Sequence, residues 1–302
     1  MFNSTFTSNL LFSNTLLPLH DKIILLIKRS DYVNNTIILY DQKISSNKDM
    51  LVPFSDTGAI LKFVSENRQP VIHFWVTPPT VILGMQDKRL NNFKAGLQML
   101  SDKNYLFYLR NSGGLGVVTD QGILNFTIFL PDKDNLLIDD AYEKMAALLR
   151  ATFSEQIKTG EIVHSYCPGT YDLSIDGKKF AGISQRRSGN AVAIMAYISI
   201  NGNQKKRSQL MKSFYEIGNY PQNQQIDYPD IDLQAMENLD TLLKNDLTLD
   251  LAKEKILNVL KQDYQISRKE FFIIQNSQPY REAYDKTLKD LIKRNKVLLE
   301  ER

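Results

Sequence analysis

The chain carries one cysteine, Cys167, in the stretch Ser165-Tyr166-Cys167-Pro168-Gly169-Thr170-Tyr171-Asp172. A lone thiol forms no internal disulfide and supplies no thiolate metal cage. It can act as a nucleophile if its surroundings favour the thiolate, because a free thiol of pKa ~8.5 is only slightly ionised at neutral pH. A cation follows in the run Gly177-Lys178-Lys179-Phe180-Ala181-Gly182. An ammonium from Lys179 beside the sulfur would favour the charged form and could exchange protons with an incoming amine. Turn formers flank the cysteine, which suits a nucleophile presented on a loop. The competing reading is a small buried hydrophobe, a common fate of free cysteine.

Arg110-Asn111-Ser112-Gly113-Gly114-Leu115-Gly116 is the second candidate. Its glycines let backbone approach a ligand closely and turn N–H groups toward an anion or a carbonyl. No Gly-Lys-Ser/Thr follows, so it is not a P-loop; Val117 opens a strand, so it is not a dinucleotide fingerprint. A tight connection between strands explains the run equally well. The histidines offer less. His73, between Ile72 and Phe74, reads as a hydrogen-bonded core residue, and His20 has no informative context. His164 stands near Cys167 as a possible base, but alternation along an extended chain need not aim it at the thiol. Neither a metal site nor a Ser-His-Asp set is expected. Lys178, Arg186-Arg187 and Lys205-Lys206-Arg207 read either as solvated turns or as a docking patch for an acidic protein.

These residues need a scaffold, and 302 residues with 43% hydrophobic content can bury a sizeable core. Charged residues make up 24% and the net charge is +3, a mixed balance that demands neither nucleic acid nor a membrane surface. One cysteine fits a reducing compartment. The amino-terminal stretch lacks a convincing secretory pattern, and the most apolar run, 23–27, is far shorter than the ~20 residues of a spanning helix. A cytoplasmic protein is expected.

Along the chain, helical spacing of Ala59, Ile60, Phe63 and Val64 precedes strands at 71–76 and 80–83. A helix is expected over 88–100, a strand over 105–109, and paired strands at 117–118 and 124–130 around Asp120-Gln121-Gly122. A helix over 142–158 follows. Asp176-Gly177 between two strand-like runs marks a hairpin, and 191–200 is a further strand. Beyond about residue 230 helical periodicity dominates, with helices expected near 233–244, 249–263 and 278–300. The class is α+β, a mixed or antiparallel sheet core with packed helices. The expected organisation is an N-terminal extension over 1–50, a catalytic domain over 51–230, and a helical segment over 231–302 belonging to the same domain.

Together, Arg110-Asn111-Ser112-Gly113-Gly114, Leu124-Asn125-Phe126 and Gly177-Lys178-Lys179-Phe180-Ala181-Gly182 resemble the lipoate/biotin protein ligase and octanoyltransferase superfamily. His73-Phe74-Trp75, Pro78-Pro79 and Val81-Ile82-Leu83-Gly84-Met85-Gln86 fit as well, so the resemblance covers roughly residues 56–200. It implies a biotin/lipoate ligase-like catalytic domain. ATP-dependent lipoate ligases carry a longer glycine run followed by a Tyr-His-Asp-like segment. Here Leu115 interrupts the run and Val118-Thr119-Asp120 replaces the segment, which speaks against ATP-dependent ligation. Among cysteine-dependent branches, one places its cysteine after the conserved lysine, whereas Cys167 precedes Lys179. That order, with Ser165 to Ile175 followed by Gly182-Ile183-Ser184-Gln185-Arg186-Arg187, most resembles the amidotransferase branch.

The resemblance implies cysteine-dependent acyl transfer without a cofactor or metal. An octanoyl or lipoyl group on a lysine of the glycine cleavage H protein would pass to lysines on lipoyl domains of 2-oxoacid dehydrogenase E2 subunits. Cys167 would carry the acyl group and Lys179 would be the active-site lysine. Arg110, Ser112, Gly113, Gly114, Asn125, Gly177 and Gly182 would bind substrate. An apolar tunnel would hold the chain, with Ile72, Phe74, Val81 and Leu83 as candidate lining. Octanoyl-acyl carrier protein as donor, ATP-dependent ligation, and a non-catalytic binder of lipoyl domains are the alternatives.

Overall fold

The segment Ile123–Pro131 shows how the chain separates two faces. Successive strand residues point to opposite sides. Leu124, Phe126, Ile128 and Leu130 enter one large apolar cluster, while Phe129 enters another and the polar Asn125 and Thr127 alternate with it. The computed structural model describes residues 35–43, 50–110, 112–132, 135–222 and 228–299. His20, Asn111, the run 23–27 and most of the 1–50 segment lie outside the described residues.

The strands are β1 (Thr36–Lys43), β2 (Val71–Val76), β3 (Thr80–Leu83), β4 (Leu106–Leu109), β5 (Val117–Thr119), β6 (Ile123–Pro131), β7 (Lys158–Thr159), β8 (Asp172–Ile175), β9 (Lys178–Ser188), β10 (Ala191–Ser199) and β11 (Gln265–Ser267). Eight of them form a mixed sheet ordered β11-β1-β2-β6-β10-β9-β8-β7, and β4-β3-β5 form a second sheet. The helices are α1 (Val52–Asn67), α2 (Phe93–Asp102), α3 (Ile138–Phe153), α4 (Gln204–Gly218), α5 (Leu239–Leu243), α6 (Leu249–Leu260), α7 (Lys269–Gln275) and α8 (Gln278–Leu299). This is the expected α+β class, with helices packed on a mixed sheet.

On α3, Ala141, Met145, Leu148 and Leu149 recur at helical spacing and bury against the first face together with α6. Helix α1 covers the opposite face through Ala59, Ile60 and Val64. Its end is set by Arg68 in the left-handed region (φ 53°), whose N–H returns to the Val64 carbonyl. Helix α8 packs along α1, where the Tyr280 hydroxyl donates to Asp56 at 2.7 Å. The Asn295 side chain clips α8 to both the N–H and the carbonyl of Leu109. His73 is sealed in the core, 2.9 Å from the Gln42 amide oxygen, and burial pushes its pKa down to about 3.

Four sequence expectations change. Strands β5 and β6 flank Asp120-Gln121-Gly122 but do not pair; β5 joins β3, and β6 joins β2 and β10. The helix expected over 88–100 begins only at Phe93, because the Asn92 N–H donates to the Gly218 carbonyl instead of entering a helix. The helix expected over 142–158 is shifted to Ile138–Phe153, with Asp139 and Asp140 at its positive end and Ser154 extended after it. Within 233–244 only Leu239–Leu243 is helical. The residues before it run as a strap, with Lys179 N–H donating to the Ala235 carbonyl and Glu237 N–H to the Lys179 carbonyl.

Candidate active site

The hairpin at Asp176-Gly177 builds one half of the site. Both residues have positive φ (50° and 75°), the geometry of a tight two-residue turn. The ladder pairs Lys179 with Ser174, and a register shift falls between Leu173 and Ser174. Such bulges re-aim a side chain. Lys179 is 3% exposed, and its ammonium lies 2.9 Å from an oxygen of Asp172, itself 2% exposed. It also reaches the carbonyls of Cys167 (2.8 Å) and Tyr166 (3.3 Å) and the Ser165 hydroxyl (3.2 Å). The other Asp172 oxygen accepts from the N–H groups of Ile162 and Gly169, both at 3.2 Å. Burial pushes the Asp172 carboxyl above the usual carboxylate range, against the pull of the Lys179 ammonium. This ion pair stitches the whole 162–172 loop to the hairpin.

Cys167 sits on that loop, half-buried, with φ at 50°. A non-glycine residue in this region stores roughly 1–3 kcal/mol of strain. The Lys179 bond to its carbonyl helps hold the conformation. The sequence reading placed the Lys179 ammonium at the thiol; the structure places it on the Cys167 carbonyl. The group at the sulfur is the Arg110 guanidinium, whose Nη2 lies 3.9 Å from Sγ. Arg110 is oriented by the carbonyls of Gly113 (2.7 Å) and Leu115 (3.2 Å).

The glycine-rich turn supplies the other wall. Gly114 has φ 86°, and a Cβ there would stand 2.6 Å from Arg110 Nη2 and 3.5 Å from Cys167 Sγ. Gly114→Ala is therefore expected to push Arg110 off the sulfur and lower turnover by about 10²-fold, the scale of an ångström misplacement. Gly113→Ala, whose Cβ would meet nothing within 4 Å, is the control and should stay near the parent rate. Steady-state acyl-transfer assays of both variants check this.

The remaining sequence candidates are scattered. Gly182 lies over the ion pair, where a Cβ would be 3.6 Å from both the Asp172 Oδ1 and the Lys179 side chain. Gly177 is exposed at the tip of the hairpin and shapes the turn rather than the site. Ser112 lines a separate cleft with Arg186 and Arg294. Asn125 is 7% exposed and donates to the Thr119 hydroxyl; its strand partner is Tyr197, whose hydroxyl bonds that of Tyr166 at 2.7 Å. Val81 and Leu83 belong to the cluster against which Cys167 packs. Ile72 and Phe74 belong to the cluster on the other face of the large sheet, so they do not line this site. His164 is exposed and donates from Nδ1 to the Asp230 carbonyl. Arg207, read as surface charge, is 2% exposed and grips Asp120 through two nitrogens.

Sequence reasoning missed Asp172. Its signal was a carboxylate opening the apolar strand Asp172-Leu173-Ser174-Ile175, opposite a hairpin lysine. It also missed Asp87 and Tyr215, which are brought beside the glycine-rich turn from distant stretches. Among the described residues, no group of three or more His, Cys, Asp or Glu is placed to hold a metal ion, and no helix is long and apolar enough to cross a membrane.

The profile of the lipoyl protein ligase A/B catalytic domain matches residues 50–261. The octanoyl-[GcvH]:protein N-octanoyltransferase of Oceanobacillus iheyensis is 41% identical over 210 residues, 68% of this chain and 75% of that protein. The lipoyl-[GcvH]:protein N-lipoyltransferase of Listeria monocytogenes is 39% identical over 218 residues, 70% of this chain and 78% of that protein. Among solved structures, a bipartite lipoate protein ligase of Thermoplasma acidophilum superposes with a TM-score of 0.58 at 13% identity, covering 84% of this chain and 92% of that one. That likeness is one of fold.

Proposed function

The chain belongs to the lipoyl protein ligase A/B catalytic-domain family and is an acyltransferase, and from that premise we propose that it moves an octanoyl or lipoyl group between proteins through a thioester on Cys167. The donor is an acylated lysine of glycine cleavage H protein, the substrate named for its relatives. The acceptor is a lysine on a lipoyl domain of a 2-oxoacid dehydrogenase E2 subunit. The observation that carries the reading is the Arg110 guanidinium 3.9 Å from the sulfur of Cys167, beside a glycine turn where a Cβ on Gly114 would come within 3.5 Å of that sulfur.

The chemistry has two halves. The Cys167 thiolate attacks the amide carbonyl; a C–S bond forms, the C–N bond breaks, and the departing lysine nitrogen takes a proton. The acceptor amine then attacks the thioester; a C–N bond forms, the C–S bond breaks, and the proton lost by the amine restores the balance. One amide replaces another, so no ATP is consumed. Amide attack is the harder half and needs donors for the oxyanion, each worth ~2.7–4 kcal/mol of barrier. A Cβ at Gly114 would stand 3.5 Å from Cys167 Sγ, so the backbone of this turn runs beside the sulfur. We assign the oxyanion role to the backbone N–H groups of this turn, with Arg110 beside the sulfur. Lys179 and Asp172 hold the Cys167 loop. We take the helical segment 231–302 to belong to the same domain as 51–230, a reading supported by the pairing of its strap with Lys179 and the packing of α8 on α1.

The test compares donors without ATP. Octanoylated H protein should support transfer to a lipoyl domain; octanoyl-acyl carrier protein and free octanoate should not. Equal use of octanoyl-acyl carrier protein would replace the donor in this reading.

Partner docking leaves a second expectation. Lys103, Lys205 and Lys206 line a cleft of about 510 Å³, and Lys178, Lys205 and Lys212 line a neighbouring one. If acidic partners dock there, kcat/KM should fall as salt rises. Charge reversal of Lys205 and Lys206 to Glu should lower kcat/KM about tenfold and flatten the salt dependence. Salt-insensitive kinetics would remove electrostatic docking from the account.

A further inference from the structure

Asp87 is a carboxylate with no exposure to solvent. One of its oxygens accepts from the Gly84 N–H at 2.7 Å and the other from the Tyr215 hydroxyl at 3.0 Å. The Tyr215 oxygen in turn accepts from the Gly116 N–H at 3.0 Å. Gly84 is packed so closely on Gly114 that a Cβ would collide with the Gly114 carbonyl. Through Gly84 and Tyr215, one side chain therefore forms a clasp that braces the turn whose Gly113 and Leu115 carbonyls hold Arg110 beside the sulfur.

We propose that Asp87 is a positioning residue for the transfer reaction: through Gly84 and Tyr215 it sets the 113–116 turn, and with it Arg110, against Cys167. The inference rests on the reading of Cys167 as acyl carrier.

Two physical points support it. A carboxylate sealed from water weakens a fold unless it is fully bonded, so its place beside the site calls for a gain other than stability. Burial also pushes Asp87 up to about 7, against the Gly84 N–H, the Tyr215 hydroxyl and the charge of Arg110. The clasp is thus poised to titrate near neutrality. The titratable and charged groups that face it are Arg110, Tyr215 and Tyr228; Cys167 faces Tyr215, and Arg89, on the turn of Asp87, faces Tyr228. The carboxylate form accepts from both donors, so activity should rise with pH through this titration.

The sign for stability is opposite. An unfolded Asp is ionised from about pH 4, so this group's contribution to folding falls between about 4 and 7 and is flat above.

The test uses Asp87→Asn and Tyr215→Phe in the full chain. Transfer from octanoylated H protein is followed on both sides of neutrality, with urea unfolding and with iodoacetamide alkylation, which reports on the only cysteine. The expected result is a fall in kcat of about tenfold or more with KM for the donor protein within about twofold. Asp87→Asn should lose the rising limb centred at about 7. Tyr215→Phe should move that limb to higher pH, because a donor to the carboxylate is gone. If Asp87→Asn does not fold, Tyr215→Phe carries the test, as it removes one hydroxyl. The inference is overturned if kcat and the limb survive in the folded variants, if activity falls only with the folded fraction, or if neither variant folds. Cys167→Ala retaining full activity would instead overturn the underlying reading and leave the clasp without a reaction to serve.

Discussion

Cys167→Ser should lose transfer activity by at least about 10³-fold while unfolding at nearly the parent urea concentration. The substitution is close to isosteric, so the loop has little reason to move. The chemistry changes because a serine hydroxyl needs a general base, and among the described residues no histidine is aimed at it. His164 is exposed and turned to the Asp230 carbonyl. His73 is sealed in the core against Gln42. Arg110, the group at the sulfur, favours an anion that already exists but does not remove a proton at neutral pH. A free thiol is already slightly ionised near neutrality, whereas a hydroxyl is not. Initial rates with octanoylated H protein and an apo lipoyl domain measure the effect. A serine variant within about tenfold of the parent would show that the sulfur is not the acyl carrier.

The second large effect belongs to the ion pair behind the cysteine. Asp172→Asn leaves the Lys179 ammonium, 3% exposed, without its carboxylate, and Lys179→Met leaves Asp172 without its cation. Breaking a buried pair from one side typically costs about 3–5 kcal/mol. Each single variant should therefore unfold at clearly lower urea. Each should also lose about 10²-fold in turnover, since the Cys167 carbonyl and the N–H groups of Ile162 and Gly169 hang on the same two side chains. The double variant should be less destabilised than the sum of the singles, because no unpaired charge remains. Stability should thus recover in part while turnover does not. Additive losses in stability would mean that the two side chains act independently.

Much of this architecture was legible in the sequence, and the failures share a cause. The Asp176-Gly177 hairpin and the strand near 124–130 are local signals, and each lies where the residue pattern put it. Cys167 and Lys179 are indeed brought together, but on the carbonyl side, because a bulge at Leu173/Ser174 re-aims the lysine toward Asp172. No period in the sequence announces a bulge. The pairing of β5 was misread for a related reason: the turn after it resembles a hairpin, yet the chain crosses from one sheet to the other there. The strap before α5 reads as helix because its apolar residues fit helical spacing; backbone pairing with Lys179 takes precedence. Asp87 and Tyr215 lie 128 residues apart, so only the tertiary fold reveals their bond.

The most direct measurement is intact mass of the chain in a single turnover with octanoylated H protein. One octanoyl group should appear on Cys167, be released by hydroxylamine, and pass to an added lipoyl domain at the steady-state rate. Transfer at that rate with an unmodified cysteine, or with the acyl group on another residue, would contradict the thioester relay.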